Sequence, residues 1–168
     1  MSALIDPLLS EFQAEVNTTR RILQRVPQEK LAWKPHPKSM ALGALAWHIA
    51  VVPANVARLA QQESFDVDNA QFNPPIPKSV DEIMTAYEQS VCDAEEILRG
   101  ISDEQAKGTW RLMRAGKEIS SQPRIGVLRS IMLNHWYHHR GQLSVFLRLL
   151  DVPIPVIYGP SADENPFG

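Results

Sequence analysis

The amino-acid sequence predicts an all-α fold, a four-helix bundle with at least one long crossover connection. Four segments carry apolar residues at the three- and four-residue spacing of an amphipathic helix. The connections between them exceed a few residues, which is typical of a bundle with a crossover. We find neither an internal repeat nor a second domain, so the prediction is a single domain over residues 1–168. The four segments cover residues 2–26, 39–62, 80–99 and 123–150.

The first two helices are delimited by proline and serine residues. Pro27 ends the first helix, and residues 27–33 have room for one further helical turn. Ser39 is a candidate N-cap for the second helix, because its hydroxyl can accept a hydrogen bond from a free backbone N–H. Pro53 lies inside this second helix and has no N–H to donate to the carbonyl of Ile49, so we expect a kink there.

The third helix follows a polar, proline-rich connection at residues 65–78. Ser79 and Glu82 have the spacing of a capping box, and Gly100 ends the helix. A second capping-box pattern opens at Ser102 and predicts at most a short turn. Residues 109–119 then predict a small hairpin before the fourth helix.

The fourth helix carries most of the histidines and is followed by a tail without helical character. Residues 152–160 contain three prolines, so we expect this tail to lie extended over the bundle.

Composition excludes several classes of function. The chain has 168 residues, 44% of them hydrophobic, and a formal net charge of −2, which gives no electrostatic reason to expect binding to nucleic acid. The N-terminus lacks the pattern of a signal peptide, and no run reaches the roughly 20 apolar residues of a membrane span. Cys92 is the single cysteine, so no intrachain disulfide can form. These features predict a cytoplasmic protein.

Two histidines lie one turn apart on the apolar stripe of the fourth helix. On a helical wheel the stripe is centred on Leu128 and Phe146, and His135 and His139 fall within about 20° of that centre. A buried imidazole without a partner costs roughly 1–3 kcal/mol. The i,i+4 spacing also places two nitrogen ligands on one helix face, as in helical zinc sites.

His48 is the only other histidine on a predicted core face, at the edge of the stripe of the second helix. With His135 and His139 it would form a set of three neutral imidazoles that leaves metal positions open for water or substrate. The alternative is that these are satisfied core histidines that bind nothing. His138 lies farther from the stripe, as a flanking residue or, through i,i+3 geometry, a substitute ligand. His36 lies in a proline-rich loop and is expected to be exposed.

Other residues near the histidines carry weaker predictions. Gly141 inside a helix costs about 1 kcal/mol relative to alanine, which indicates close backbone packing at this position. Gln142 is placed to bond a buried partner or to be an ordinary edge residue. Trp47 and Trp136, each next to a proposed ligand, are expected to be packing residues. Cys92 falls off the buried stripe of the third helix and is expected to be an ordinary, partly exposed thiol, with a reactive or interface thiol as the alternative.

The end of the chain closely resembles the DinB/YfiT-like proteins. The resemblance rests on HWYHHRGQL at residues 135–143, VP at 152–153 and YGPSADE at 158–164. Upstream, LAWKP at 31–35, Ser39 and the helix bearing His48 are also similar to that family. The resemblance implies a four-helix bundle with a long crossover, a divalent metal held by His48, His135 and His139, and a homodimer. The wide apolar faces of the first and third helices agree with a dimer.

The resemblance implies several activities without choosing between them. Similar bundles include metal-dependent hydrolases and transferases that use a low-molecular-weight thiol as cosubstrate. The alternative is a non-catalytic metal-binding or stress-response module. Imidazole ligands suit zinc, nickel, copper and iron, and zinc or nickel is the expectation here. Glu15 on the first helix is a weak candidate for a general base, and the expected partner is a small-molecule substrate, with neither nucleic acid nor membrane.

Overall fold

Four long helical segments form the bundle in the part of the chain that the structure, a computed structural model, describes, residues 2–70 and 76–167. They are α1 (Ile5–Leu23), α2 (Leu42–Gln61), α3 (Val80–Arg99) and a continuous run that ends in α6. That run consists of α5 (Arg124–Val127), a π-helical segment (Leu128–Asn134) and α6 (His135–Leu149). α2 packs against α3 and α6, and α1 also packs against these two helices. The predicted helical bundle is therefore confirmed.

The predicted serine cap of α2 is wrong, because backbone carbonyls bond the free N–H groups at the start of this helix. Ser39 does not cap α2, which begins at Leu42. The N–H of Leu42 bonds the carbonyl of Trp33 at 2.8 Å, and the N–H of Gly43 bonds the carbonyl of Leu31 at 2.9 Å. The preceding turn therefore satisfies these donors in place of a serine hydroxyl.

Serine capping occurs as predicted at α3 and α4. Ser79 Oγ accepts the N–H of Glu82 at 3.1 Å. The Glu82 carboxylate reaches the N–H of Lys78 rather than that of Ser79, so the predicted box closes on one side only. Ser102 and Gln105 form a complete capping box at the start of α4 (Asp103–Lys107). Local sequence alone was sufficient to place these two helix starts.

Beside Pro53, where a kink is predicted, one carbonyl and one N–H group of α2 bond side chains from neighbouring helices. The Ile49 carbonyl accepts the indole N–H of Trp136 at 2.9 Å. The N–H of Ala54 bonds Ser90 Oγ on α3 at 3.1 Å. Side chains of α6 and α3 thus satisfy backbone groups of α2 beside its proline.

The described residues also form one small three-stranded sheet. The predicted hairpin consists of β2 (Thr109–Arg114) and β3 (Lys117–Pro123), which extends past the expected end at residue 119. Its turn places Ala115 at a φ of 48° and Gly116 at a φ of 73°, a left-handed conformation that favours glycine. A further strand, β1 (Ser64–Asp66), pairs in parallel with β2. This strand belongs to the connection from α2 to α3, of which residues 71–75 lie outside the described residues.

The π-helical segment turns α6 relative to the helical wheel drawn from the sequence. The N–H of His135 bonds the carbonyl of Ser130, five residues earlier. A π-helix advances less than the 100° per residue of an α-helix, so the residues after this segment are rotated relative to the wheel drawn from the sequence. The fully buried residues of α6 are consequently Trp136, Arg140, Leu143 and Leu147. His135 and His139 are half-buried at the edge of the core instead of at its centre.

The C-terminal tail lies against α1 and α6. Glu164 pairs with Arg21 and Arg25 of α1 and accepts the N–H of Val156 at 2.9 Å. Asp163 pairs with Arg148 of α6. The predicted extended course over the bundle is confirmed for the described tail residues, and ion pairs attach it to both helices.

By length and composition α2 resembles a membrane-spanning helix, although no membrane span is predicted from the sequence. Of its most apolar window, 67% is buried inside the protein. The core helix of a soluble protein passes the same test.

Candidate metal centre

Three histidine side chains from two helices converge at the contact between α2 and α6. His48 lies in the first half of α2, and His135 and His139 lie in the first two turns of α6. The Nε2 atoms of His48 and His135 are 2.9 Å apart, and those of His135 and His139 are 3.1 Å apart. All three rings are half-buried. The structure thus brings together the three histidines that the sequence selected.

The protein environment keeps these imidazoles neutral near pH 7. Burial, together with the neighbouring rings of His139 and His135, lowers the pKa of His48 to about 4. Burial is also the largest cause of the lowered pKa of His135. Burial lowers the pKa of His139 as well, while the hydrogen bond that the ring makes to Gln142 Oε1 acts in the opposite direction. Neutral imidazole is the form that binds metal ions.

Gln142 selects the tautomer of His139. Its side-chain Oε1 lies 2.8 Å from His139 Nδ1. An amide oxygen only accepts hydrogen bonds, so Nδ1 carries the proton and Nε2 keeps its lone pair. The lone pair is then directed at the other two histidines. Of the two roles that the sequence left open for Gln142, bonding partner or ordinary edge residue, this contact supports the first.

The geometry of the three nitrogens fits a single metal ion. Two nitrogen ligands about 2.1 Å from one metal, at angles of about 90° to 109°, are about 3.0 to 3.4 Å apart. The Nε2 separations of 2.9 and 3.1 Å are close to that interval. Three imidazoles suit zinc, nickel, copper or iron. The donor set therefore fits a divalent transition metal.

No cysteine, aspartate or glutamate side chain joins the three histidines among residues 2–70 and 76–167. Cys92 is exposed on α3, as predicted. His138 is exposed, and its ring centroid lies 5.0 Å from that of His139. His36 is exposed in its loop, where its Nδ1 accepts the N–H of Lys38 at 3.2 Å. A metal held by the three histidines would retain positions for water or substrate.

Arg140 is a buried charged residue that was not predicted from the sequence. It follows His139, is 1% exposed and contacts Thr19 Oγ1 at 3.0 Å. Its guanidinium pairs with Glu15 at 2.6 Å and bonds the hydroxyl of Tyr158. Glu15, the weak candidate for a general base, is therefore the counter-ion of Arg140. The i, i+4, i+7, i+11 spacing of Trp136, Arg140, Leu143 and Leu147 was the available signal.

The predictions for Trp136 and Gly141 have different outcomes. Trp136 is a packing residue as expected, fully buried and 5.4 Å from the ring of Phe12. The prediction of close backbone packing at Gly141 is wrong. A Cβ atom there would have no atom within 4 Å, because this face of α6 is exposed to solvent.

Comparison with known proteins agrees with the fold and with this site. The model of the DinB family matches residues 1–165 of the chain. The uncharacterized protein YrdA of Bacillus subtilis is 26% identical in an alignment of length 168 that covers 98% of this chain and 93% of that protein.

Solved structures show the same fold. A DinB-like protein from Bacillus cereus superposes with a TM-score of 0.71 at 22% identity, covering 91% of this chain and 97% of that one. A DinB-like protein from Bacillus subtilis superposes with a TM-score of 0.68 at 17% identity, covering 90% and 96%. The cluster of three histidines fits a metal-binding member of such a group.

Proposed function

Since this chain belongs to the DinB family, we propose that it is a metal-dependent enzyme that acts on small organic molecules. His48, His135 and His139 hold one divalent transition metal, with zinc or nickel as the expected ion. The reaction is either hydrolysis or transfer to a low-molecular-weight thiol. The observation that carries this proposal is the convergence of three Nε2 atoms without a fourth Cys, Asp or Glu ligand in the described part of the chain.

A divalent metal with open positions polarises a bound carbonyl or lowers the pKa of a bound water or thiol. The protein's own contribution is to hold the imidazoles neutral and aimed at one point. Gln142 fixes the proton of His139 on Nδ1. Cys92 is exposed on α3 and outside the cluster, so the thiol of a transferase reaction comes from a small molecule.

The first test is metal content. Protein purified without an affinity tag should contain about one transition metal per chain by elemental analysis, and His135→Ala or His139→Ala should abolish it. His36→Ala is a matched control, because His36 is exposed in a loop. His138→Ala decides whether that residue substitutes as a ligand. Full metal content in both ligand variants would refute the assignment.

The second test is catalysis. Metal-loaded protein is screened against ester and amide substrates, and against electrophilic substrates with mycothiol, bacillithiol or glutathione as cosubstrate. Turnover should depend on metal and vanish in His135→Ala. Stoichiometric metal without turnover, or a fourth side chain on the metal in a loaded crystal structure, favours the non-catalytic metal-binding module instead.

We also propose that the protein acts in the cytoplasm as a homodimer, an arrangement supported by the family resemblance. The large apolar side chains of α1 and α3 pack in the core of the single chain and are not available to a partner. Val145 and Leu149, one turn apart on α6, are the exposed apolar pair on the bundle helices. Light scattering that gives a monomer mass at micromolar concentration would contradict the dimer.

A further inference from the structure

The carbonyl of Ile49 cannot accept the regular α-helical hydrogen bond within its own helix. In an α-helix this oxygen would accept the N–H of the residue four positions later, which is Pro53. Proline has no N–H, so the carbonyl needs a donor from elsewhere. Ile49 is fully buried and directly follows His48. A buried carbonyl left unsatisfied would cost about 1–3 kcal/mol.

Trp136 supplies the missing donor. Its indole Nε1 lies 2.9 Å from the Ile49 carbonyl, and the residue directly follows His135. The indole ring is fully buried, 5.4 Å from Phe12 of α1 and 6.5 Å from Tyr87 of α3 by ring centroids. One hydrogen bond therefore joins Trp136, which follows His135 on α6, to Ile49, which follows His48 on α2.

The relative placement of α2 and α6 is what the three-histidine cluster needs. His135 and His139 are one turn apart on the same helix, so the helix itself sets their spacing. The position of His48 depends on the contact between two helices, and metal–ligand distances tolerate errors of about 0.2 Å. A π-helical segment lies just before His135. Regular α-helix geometry alone therefore does not fix the rotation of α6 about its own axis.

We propose that Trp136 is a positioning residue for the metal site, through its hydrogen bond to the carbonyl beside His48. This inference rests on the proposed metal-binding function. Trp136 touches neither metal nor substrate in this role. It holds the two helices at the separation and rotation that bring the Nε2 atom of His48 to the other two.

The test is Trp136→Phe, which keeps an aromatic ring in the core and removes the N–H. Zn²⁺ affinity is measured by competition with a chromophoric chelator, and stability by urea unfolding of the metal-free protein. We expect Zn²⁺ binding about tenfold weaker or more, the range found for residues that orient metal ligands. Zinc content at saturation should remain one ion per chain.

Trp110→Phe is the matched control. Trp110 is also buried, and its indole N–H also donates to a carbonyl of α2, that of Leu59 at 3.2 Å. Leu59 lies about 16 Å along the helix from His48. We expect this variant to lose stability while binding Zn²⁺ as tightly as the unaltered protein.

A second variant separates positioning from simple stabilisation. Adding Pro53→Ala to Trp136→Phe gives the Ile49 carbonyl a donor within α2, so stability should rise. The bond to α6 stays absent, so Zn²⁺ affinity should stay low. Trp136→Phe affinity equal to that of the unaltered protein, or affinity restored by Pro53→Ala, would overturn the positioning role alone. Unaltered protein that takes up no Zn²⁺ would overturn the metal site and the positioning role together.

Discussion

The pair formed by Arg140 and Glu15 is expected to be the most consequential ion pair of the bundle. The side chains are 1% and 16% exposed, and the charged atoms are 2.6 Å apart. The guanidinium also lies over the rings of Tyr137 and Tyr158, at 5.1 and 5.0 Å from their centroids. Glu15 is therefore the carboxylate that balances a buried guanidinium whose other neighbours are aromatic faces and hydroxyl groups.

Glu15→Ala leaves the Arg140 charge buried with hydroxyl partners and no carboxylate. Removing one member of a buried pair costs about 3–5 kcal/mol, because the remaining charge is not compensated. That loss is a large share of the roughly 5–15 kcal/mol that stabilises a typical domain. Urea unfolding followed by far-UV circular dichroism should show a much lower midpoint with little change in slope.

Glu88→Ala is the control for this prediction. Glu88 of α3 pairs with Arg20 of α1, the helix that also carries Glu15, at a distance of 2.7 Å. The Glu88 side chain is 50% exposed and that of Arg20 is 31% exposed. Exposed pairs contribute about 0.2–1 kcal/mol. Replacing both buried partners by Glu15→Leu with Arg140→Met should recover most of the stability lost in Glu15→Ala. Equal losses in Glu15→Ala and Glu88→Ala would refute the argument from burial.

Three further outcomes are expected. Gln142→Ala should weaken Zn²⁺ binding about tenfold or more, because His139 loses the acceptor that holds its proton on Nδ1; unchanged affinity in chelator competition would contradict this. Glu164→Gln should lower stability at neutral pH, because a backbone hydrogen bond and the neighbouring arginines lower the pKa of the folded carboxyl. Such a carboxyl stabilises the fold above its unfolded pKa of about 4.3, and this contribution is lost as the pH falls through the lower folded pKa. The two proteins should therefore converge in urea unfolding as the pH falls below the folded pKa; a difference that persists in acid would argue against the carboxylate. Ser102→Ala should cost about 1 kcal/mol by the same unfolding measurement, because its capping box with Gln105 opens α4; an unchanged midpoint would count against the cap.

Much of the bundle was predictable because the responsible interactions are local. Helix spacing placed the four long segments, and Ser79 and Ser102 marked two of the starts from residues three positions away. The i,i+4 relation of His135 and His139 is a property of one helical turn, which the sequence contains completely. The predicted loss of a donor at Pro53 likewise needs only the chemistry of proline.

The remaining features depend on contacts between distant parts of the chain. The start of α2 is set by the carbonyls of Leu31 and Trp33, which accept its first N–H groups. β1 forms because Ser64–Asp66 pairs with β2. The π-helical segment rotates α6, so Arg140 is buried and the histidines lie at the core edge. A single helical wheel drawn over residues 123–150 misses this rotation, because it assumes a constant advance per residue; only the spacing within α6 itself carried the signal. The meeting of His48 with the α6 pair was likewise decided by packing, since the distance between two helices depends on every side chain between them.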